Sequence, residues 1–434
     1  MIQTGLIANA HNGMTFTDAS YDYYGLRLAT CSLDQRIKIW QLDETNGSWT
    51  VEDDWKAHDA AVSKVSWAHP EFGVILASSS FDRTVKVWEQ TSLVGVPDNQ
   101  QVPANGNPSA SGPSTSRWIE RAVLPQARGT VRAVEFGPHH FGLKLATISS
   151  DNHLRIYECL EQPSLTTWQL SEEADVQALP ISPSISPLTR AQQTNALATP
   201  TQTSGSTADG VSAPLIAQAL QQGLQQSTAG VGRPGLGNRE ADGGWCISWC
   251  KDRYWGELIA AGSGTSGVIK IIQLLPSNRP TTILTLDPSP QADIPPVEAD
   301  GVNVPATSAI TSVSWAPSCG RSYHLIATGG RDGHVRIWRV KPGEEGEDDM
   351  VTDGEEGRWT ATMVADFEQH KSAVGRVEWN ITGTVLSSAG NDGRIRLWKA
   401  TSGNVWRPAG SIGVEQSEEP DTERPTNRDV DMDS

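Results

Sequence analysis

Three residue types that hydrolases combine stand close together in this chain. His58, Ser78 and Asp82 lie within 25 residues. A Ser activated by a His that an Asp orients can attack a carbonyl. That chemistry needs the Ser on a sharp, exposed turn, as in G-x-S-x-G. Ser78 sits instead inside the run VILASSS, with no such turn. The set also recurs, as His11, Thr30 and Asp34 and again as His370, Ser387 and Asp392. Repetition of this kind belongs to architecture, so no catalytic residue is assigned. Cys246 and Cys250 resemble half a zinc site, but no second Cys or His pair stands at ligand spacing. On a strand, positions i and i+4 share a face, so the pair reads as core. His139-His140 reads as a turn before Phe141, and GSGTSG at 262–267 precedes no helix that would cradle a phosphate. The sequence thus predicts no enzyme, no metal and no cofactor.

The elements that hold these residues repeat. An alternating segment ends in an aromatic residue, a turn follows, then a small-residue strand, an Asp, and a second alternating strand. That strand ends in an aromatic residue six positions after the Asp. The pairs are Asp34 with Trp40, Asp82 with Trp88, Asp151 with Tyr157, Asp332 with Trp338 and Asp392 with Trp398. A degenerate copy between them has Ser266 and Ile272 in those places. Period-2 alternation and β-branched residues argue for strands. A further short strand follows each copy: 48–55, 117–124, 165–170, 281–286, 358–367 and 404–412. Six units of four strands predict an all-β fold, a six-bladed β-propeller of the WD40 type. The blades are expected at about 11–57, 58–124, 128–170, 244–286, 309–367 and 370–412.

A blade is apolar on two faces and must stack on its neighbours. The Asp lies in the turn between the second and third strands. There it can accept from a His, which bonds a Ser or Thr on the second strand, which meets the Trp N–H. The predicted tetrads are His58, Ser78, Asp82 and Trp88; His11, Thr30, Asp34 and Trp40; and His370, Ser387, Asp392 and Trp398. Lys38, Lys86, Arg155, Arg336 and Arg396 alternate with apolar partners on the third strands and are expected on solvated rims.

The 434 residues suit two or three ordinary domains or one such array. The net charge of −17 is concentrated: residues 341–357 carry −7 and 412–434 carry −6, leaving about −4 for the rest. These blocks read as a solvated acidic loop and an acidic disordered tail (413–434). Without a basic surface, nonspecific nucleic-acid binding is not expected. No apolar run reaches the ~20 residues of a membrane helix. Met1 to Ala10 lacks the build of a signal peptide, and five scattered cysteines argue for a reducing compartment. The insertions at 92–116, 175–241 and 287–307 are Pro-, Gly-, Ser- or Gln-rich, and 175–241 is too poor in apolar residues to fold alone. Within it, 213–226 reads as a fluctuating Gln-rich segment, with a docking helix as the alternative.

Propellers usually close by building one blade from both chain ends. Here the first and last units each own an outer strand, so residues 2–8 are surplus. Either the ring closes with six blades, or it stays open with strand edges that invite addition by another chain. Ile2, Gln3, Thr4, Gly5, Leu6 and Ile7 form the candidate partner-binding edge.

The stretches 22–40 and 55–89 resemble the paired group of SEH-type nucleoporins and the COPII outer-coat WD-repeat protein. GPHHFGLKLATISSDNHLRIYE (137–158) and WCISWCKDRYWGELIAAGSG (245–264) are similar to the nucleoporin branch. The resemblance implies an open six-bladed propeller in the Y-shaped scaffold of the nuclear pore. It also implies a helical nucleoporin partner that inserts a seventh blade, further Y-complex partners and a place at the nuclear envelope. It extends to a SEA/GATOR-type nutrient-signalling complex at the vacuolar or lysosomal surface. The alternatives are a COPII-type coat subunit and a substrate-recognition adaptor; the latter would want a concentrated charged or aromatic surface.

The tetrad logic yields a test. Asp82→Ala strands His58 and Trp88 and is expected to lower stability by about 1–3 kcal/mol. Thermal melting checks it, and an unchanged midpoint would remove the tetrad from the account.

Overall fold

The computed structural model describes residues 7, 10–11, 13–92, 116–180, 242–275, 278–288, 308–342 and 359–413. Within them lie six sheets, each built of four consecutive antiparallel strands. The first holds β1 (Phe16–Tyr21), β2 (Arg27–Ser32), β3 (Arg36–Asp43) and β4 (Ser48–Lys56). The second holds β5 (Val62–Trp67), β6 (Ile75–Ser80), β7 (Val85–Ser92) and β8 (Ser116–Leu124). The third holds β9 (Val131–Phe136), β10 (Lys144–Ser149), β11 (His153–Cys159) and β12 (Trp168–Asp175). The fourth holds β13 (Cys246–Trp249), β14 (Glu257–Gly262), β15 (Ile269–Leu275) and β16 (Asn278–Leu286). The fifth holds β17 (Ile310–Trp315), β18 (His324–Gly330), β19 (Val335–Lys341) and β20 (Thr360–Phe367). The sixth holds β21 (Val374–Trp379), β22 (Val385–Gly390), β23 (Arg394–Ala400) and β24 (Trp406–Gly413). These are the six blades of a propeller.

Two expectations need correction. The outer strand of the third blade runs to Asp175, not 170. Its sequence WQLSEEAD alternates, but its outward residues are acidic, so it does not read as apolar. The third-strand basic residues are not solvated rims: Arg155 is 1% exposed, and Lys38 and Arg336 are 8% exposed. Acids on the neighbouring strand and turn make this burial tolerable. Arg155 pairs with Asp151 at 2.8 Å and with Glu173 at 2.9 Å, and Arg336 pairs with Asp332 at 2.8 Å. The insertion 181–241 with its segment 213–226, the loops 93–115, 289–307 and 343–358, and the tail 414–434 lie outside the described residues.

The core lies between blades, and its rule is similar at the five joints from the first blade to the sixth. The second and third strands of one blade offer small or β-branched residues, and the next blade answers with bulky ones. Ala29, Ile37 and Ile39 pack on Leu76 and Trp88. Ala77, Val85 and Val87 pack on Leu145 and Tyr157. Ala146, Leu154 and Ile156 meet Ile259, Ile272 and Leu274. Ala260, Ile269 and Ile271 meet Ile326 and Trp338, and Ala327, Val335 and Ile337 meet Leu386 and Trp398. Side chains also stitch innermost strands: Asp18 Oδ2 accepts from Val65 N at 3.1 Å, and Ser66, Ser248 and Ser312 hydroxyls accept from Phe136, Trp315 and Val377 amides.

One buried group makes this core sensitive to pH. His324 on β18 is 2% exposed and packs among Trp255, Trp315 and Trp359. Its Nε2 has no partner among the described residues. Burial pushes its pKa down to about 4. The unfolded chain therefore takes up a proton here that the folded chain refuses. The His324 contribution is whole above pH ~6.5 and is lost as pH falls toward about 4. Burial also lowers the His370 pKa, adding in the same direction. His324→Phe should flatten the stability–pH curve in that window by on the order of 2–3 kcal/mol. Denaturant titrations at successive pH values test this, and parallel curves for both proteins would refute it.

Candidate functional site

The tetrads come together in space. His58 Nδ1 lies 2.9 Å from Asp82 and Nε2 2.8 Å from Ser78, whose hydroxyl accepts from Trp88 Nε1 at 2.9 Å. His11 makes the same set with Asp34 at 2.8 Å and Thr30 at 2.9 Å, and Trp40 Nε1 donates to Thr30 at 2.9 Å. In the sixth blade the hydroxyl is that of Ser388, not Ser387. His370 Nε2 and Trp398 Nε1 reach Ser388 Oγ at 2.8 and 2.9 Å, while Ser387 donates to Glu378 O. One residue along a strand reverses the face. Ser388 stands opposite Arg396, as Ser78 stands opposite Lys86. His370 Nδ1 lies 3.1 Å from Asp392.

Burial acts to raise the Asp82 carboxyl, yet hydrogen bonds from His58 and Thr84 hold it well below the usual range. Burial opposes ionisation of Asp392 too, but Arg396 and His370 hold its pKa to about 2. Every Ser78 bond is spent inside the blade, and the residue is fully buried. No substrate carbonyl can approach it. In the third blade Arg155 takes the place of the His, with Ser149 at 2.7 Å and Asp151 at 2.8 Å. An Arg two positions before the aromatic, with an acid on the outer strand, was the available signal for it.

Cys246 and Cys250 share one core cluster, and burial pushes both thiols up to about 12. His139 stacks on His69 with ring centroids 4.0 Å apart, and burial lowers the His140 pKa. Among the described residues no three His, Cys, Asp or Glu side chains gather as a metal site needs.

What distinguishes the surface is the joint between blades six and one. Among the described residues the six blades form five apolar clusters, and none of the five contains residues of both the sixth and the first blade. Ile37, Val85, Leu154, Ile269 and Val335 occupy one position of the third strand and are at most 2% exposed; Ile395, their counterpart, is 43% exposed. Tyr21 is 58% exposed where Phe136, Trp249, Trp315 and Trp379 are buried, and Phe16 is 47% exposed. A cavity of about 480 Å³ lies over the first blade, lined by residues including Ile7, His11, Met14, Phe16 and Leu28. Of the candidate edge, Ile7 therefore lines this cavity, while Ile2 to Leu6 lie outside the described residues. At the axis the joint is bridged by Arg376, which bonds Asp18 and, at 2.6 Å, Ala19 O. The site is an open apolar joint.

The model of the WD domain, G-beta repeat, matches residues 5–41, 49–89, 303–339 and 361–399. Nucleoporin SEH1 of Bos taurus is 32% identical over 406 residues, covering 91% of this chain and 84% of that protein. Nucleoporin SEH1 of Homo sapiens is 31% identical with the same coverage. Nucleoporin SEH1 of Saccharomyces cerevisiae is 28% identical over 436 residues, covering 92% of this chain and 96% of its own. The chain belongs to the SEH1 family of nucleoporins. Membership carries a scaffold role at the nuclear pore, and it suits a propeller whose polar constellations are all structural. Among the described residues one pair of blade faces is uncovered.

The joint can be read by two substitutions of one kind. Ile37→Ala should cost about 2–5 kcal/mol, as for a closed core. Ile395→Ala should cost the free protein less than about 1 kcal/mol, because much of that side chain is already wet. Equal losses in chemical denaturation would mean that the sixth joint is closed.

Proposed function

We propose that this protein is a scaffold subunit of the nuclear pore outer ring, the Y complex, and that it binds a helical nucleoporin which completes the ring. The single observation behind the reading is the sixth joint. Ile395 and Phe16 stay exposed at positions that the other blades bury, and Tyr21 at one that they bury or, at Trp67, half-bury. Strands donated by a partner would bury both faces at once and remove the free edges. The rigid ring then acts as a fixed building block in an assembly that supports transport of protein and mRNA.

The resemblance set out above also supports a second assembly, the SEA/GATOR-type complex at the vacuolar or lysosomal surface. Both roles use the same joint, because both need the same ring closed. No nucleic-acid contact or membrane insertion is part of this reading.

Affinity purification from cells with mass spectrometry should recover pore scaffold subunits, including one helical nucleoporin. Recovery with coat proteins of the endoplasmic reticulum alone would favour the COPII-type alternative. Added in excess, the recovered helical nucleoporin should raise the melting temperature, by about 2.7 kcal/mol of stabilisation at 100 times its Kd. No shift at saturation would rule out blade donation.

A further inference from the structure

The sixth blade lacks an acid that three others have. Lys38 stands opposite Asp54 in the strand register, Arg155 opposite Glu173 and Arg336 opposite Asp366. Each pair is closed by an ion pair, at 3.5, 2.9 and 3.3 Å. In the sixth blade Arg396 stands opposite Ser411, and Arg394 stands opposite Gly413. The strand β24, WRPAGSIG, offers no carboxylate at all. Arg396 keeps Asp392 at 2.7 Å, and among the described residues no carboxylate lies within ion-pair distance of the exposed Arg394 guanidinium. Where the outer acid would stand is an open cleft of about 480 Å³, lined by Gln369, Arg394, Arg396, Pro408, Gly410 and Ser411. Its walls carry two guanidinium groups and no acid.

We propose that this cleft takes a carboxylate from the chain's own acidic terminal stretch, residues 414–434. The chain leaves β24 at Gly413, which is paired with Arg394. Glu415 follows two residues later, and Glu418, Glu419, Asp421 and Glu423 come before the first Arg of the stretch, Arg424. Two residues span up to ~7 Å of extended chain, so Glu415 is within reach of Arg394, and the later acids can turn back toward Arg396. A tether this short holds its acids at an effective concentration of about millimolar or above. That exceeds what a free anion of the same chemistry supplies. Guanidinium and carboxylate match as a planar, two-bond pair. The contact replaces in sequence-distant form what Asp54, Glu173 and Asp366 supply from their own outer strands. It also explains why acids crowd the first part of this stretch, next to an outer strand that has none; on the other acid-free outer strand, β16, the facing cation Lys270 is bonded to Gln177 O and Leu179 O instead.

The test is NMR on the full-length, 15N-labelled protein, reading heteronuclear NOE values along 414–434. In the wild type, residues 415–423 should have higher values than residues 429–434. Arg394→Glu should abolish the difference. So should Ser411→Asp, which gives the blade an acid of its own. Salt at about 1 M, where the screening length is ~3 Å, should do the same. Both substituted side chains are exposed, so melting temperatures should stay near wild type. Uniformly low values in the wild type, or values unmoved by Arg394→Glu, would overturn the proposal. So would a partner protein whose recovery falls with Arg394→Glu while the NOE profile stays unchanged; the cleft would then serve an acidic segment of another molecule.

Discussion

Everything in this molecule depends on one constraint: a blade has two apolar faces and cannot cover both by itself. The faces are unlike. One carries Ala, Val and Ile on the second and third strands, and the other carries Leu and Trp. Each blade therefore needs a neighbour on each side, in a fixed order. Burying one Ile or Leu side chain contributes about 1.5–3 kcal/mol, and each joint buries several. Six blades with five joints leave that gain unrealised once. The ion pair of Arg376 and Asp18 does not substitute for it, because a single part-exposed pair contributes little beside an apolar joint.

The polar tetrads do a different job. They fix the turn between second and third strands and satisfy an indole N–H that the apolar joint would otherwise strand. The chain varies the chemistry while keeping the satisfaction. In the third blade Arg155 supplies from the third strand the partner for Asp151 that His58 supplies to Asp82 from the entering loop. The fourth blade has Ser266 and Ile272 where the others have Asp and an aromatic residue, and Ile272 is fully buried in the core. Replacing all partners of a network with apolar groups is close to neutral, whereas losing one partner is costly. The fifth blade keeps the indole bond of Trp338 to Thr328 and gives Asp332 an arginine, Arg336, as partner, so each member of the set that it retains is paired.

Much of this was legible in the residue order. The interval from Asp to aromatic, the period-2 alternation and the outer strands located the blades, because local sterics and burial set those patterns. Ser387 and Ser388 are adjacent and chemically identical; the interval of four from Thr30 to Asp34 and from Ser78 to Asp82 selects Ser388, and its pairing with Arg396 bears this out. What else escaped depended on register across strands. Lys38 and Arg336 look like solvent-facing residues until Asp54 and Asp366 are placed opposite them. The state of the ring was open to two readings, because it depends on how far the first and last blades stand apart. No local pattern encodes that distance; the exposure of Ile395 and Tyr21 reports it.

The way the sixth joint is held has a consequence for anything that enters it. Asp18 uses one carboxylate oxygen for Val65 N of the second blade and the other for Arg376 of the sixth. At three other joints a serine hydroxyl is long enough to reach the neighbouring amide, as with Ser312 and Val377 at 3.1 Å, and between the third and fourth blades Glu135 accepts from Trp249 N. At the axis the joint between last and first blades employs an arginine, the longest arm available. The inner strands are thus held in register with each other at the axis, while Ile395 and Phe16 farther out remain wet. An incoming strand meets apolar walls first and the ion pair last. For a strand that entered, apolar burial would supply affinity along the walls, and the polar clasp at the axis would keep both walls positioned. A ring fixed in this way loses less freedom on binding than one whose end blades swing apart, and that preorganisation favours a tight and specific closure.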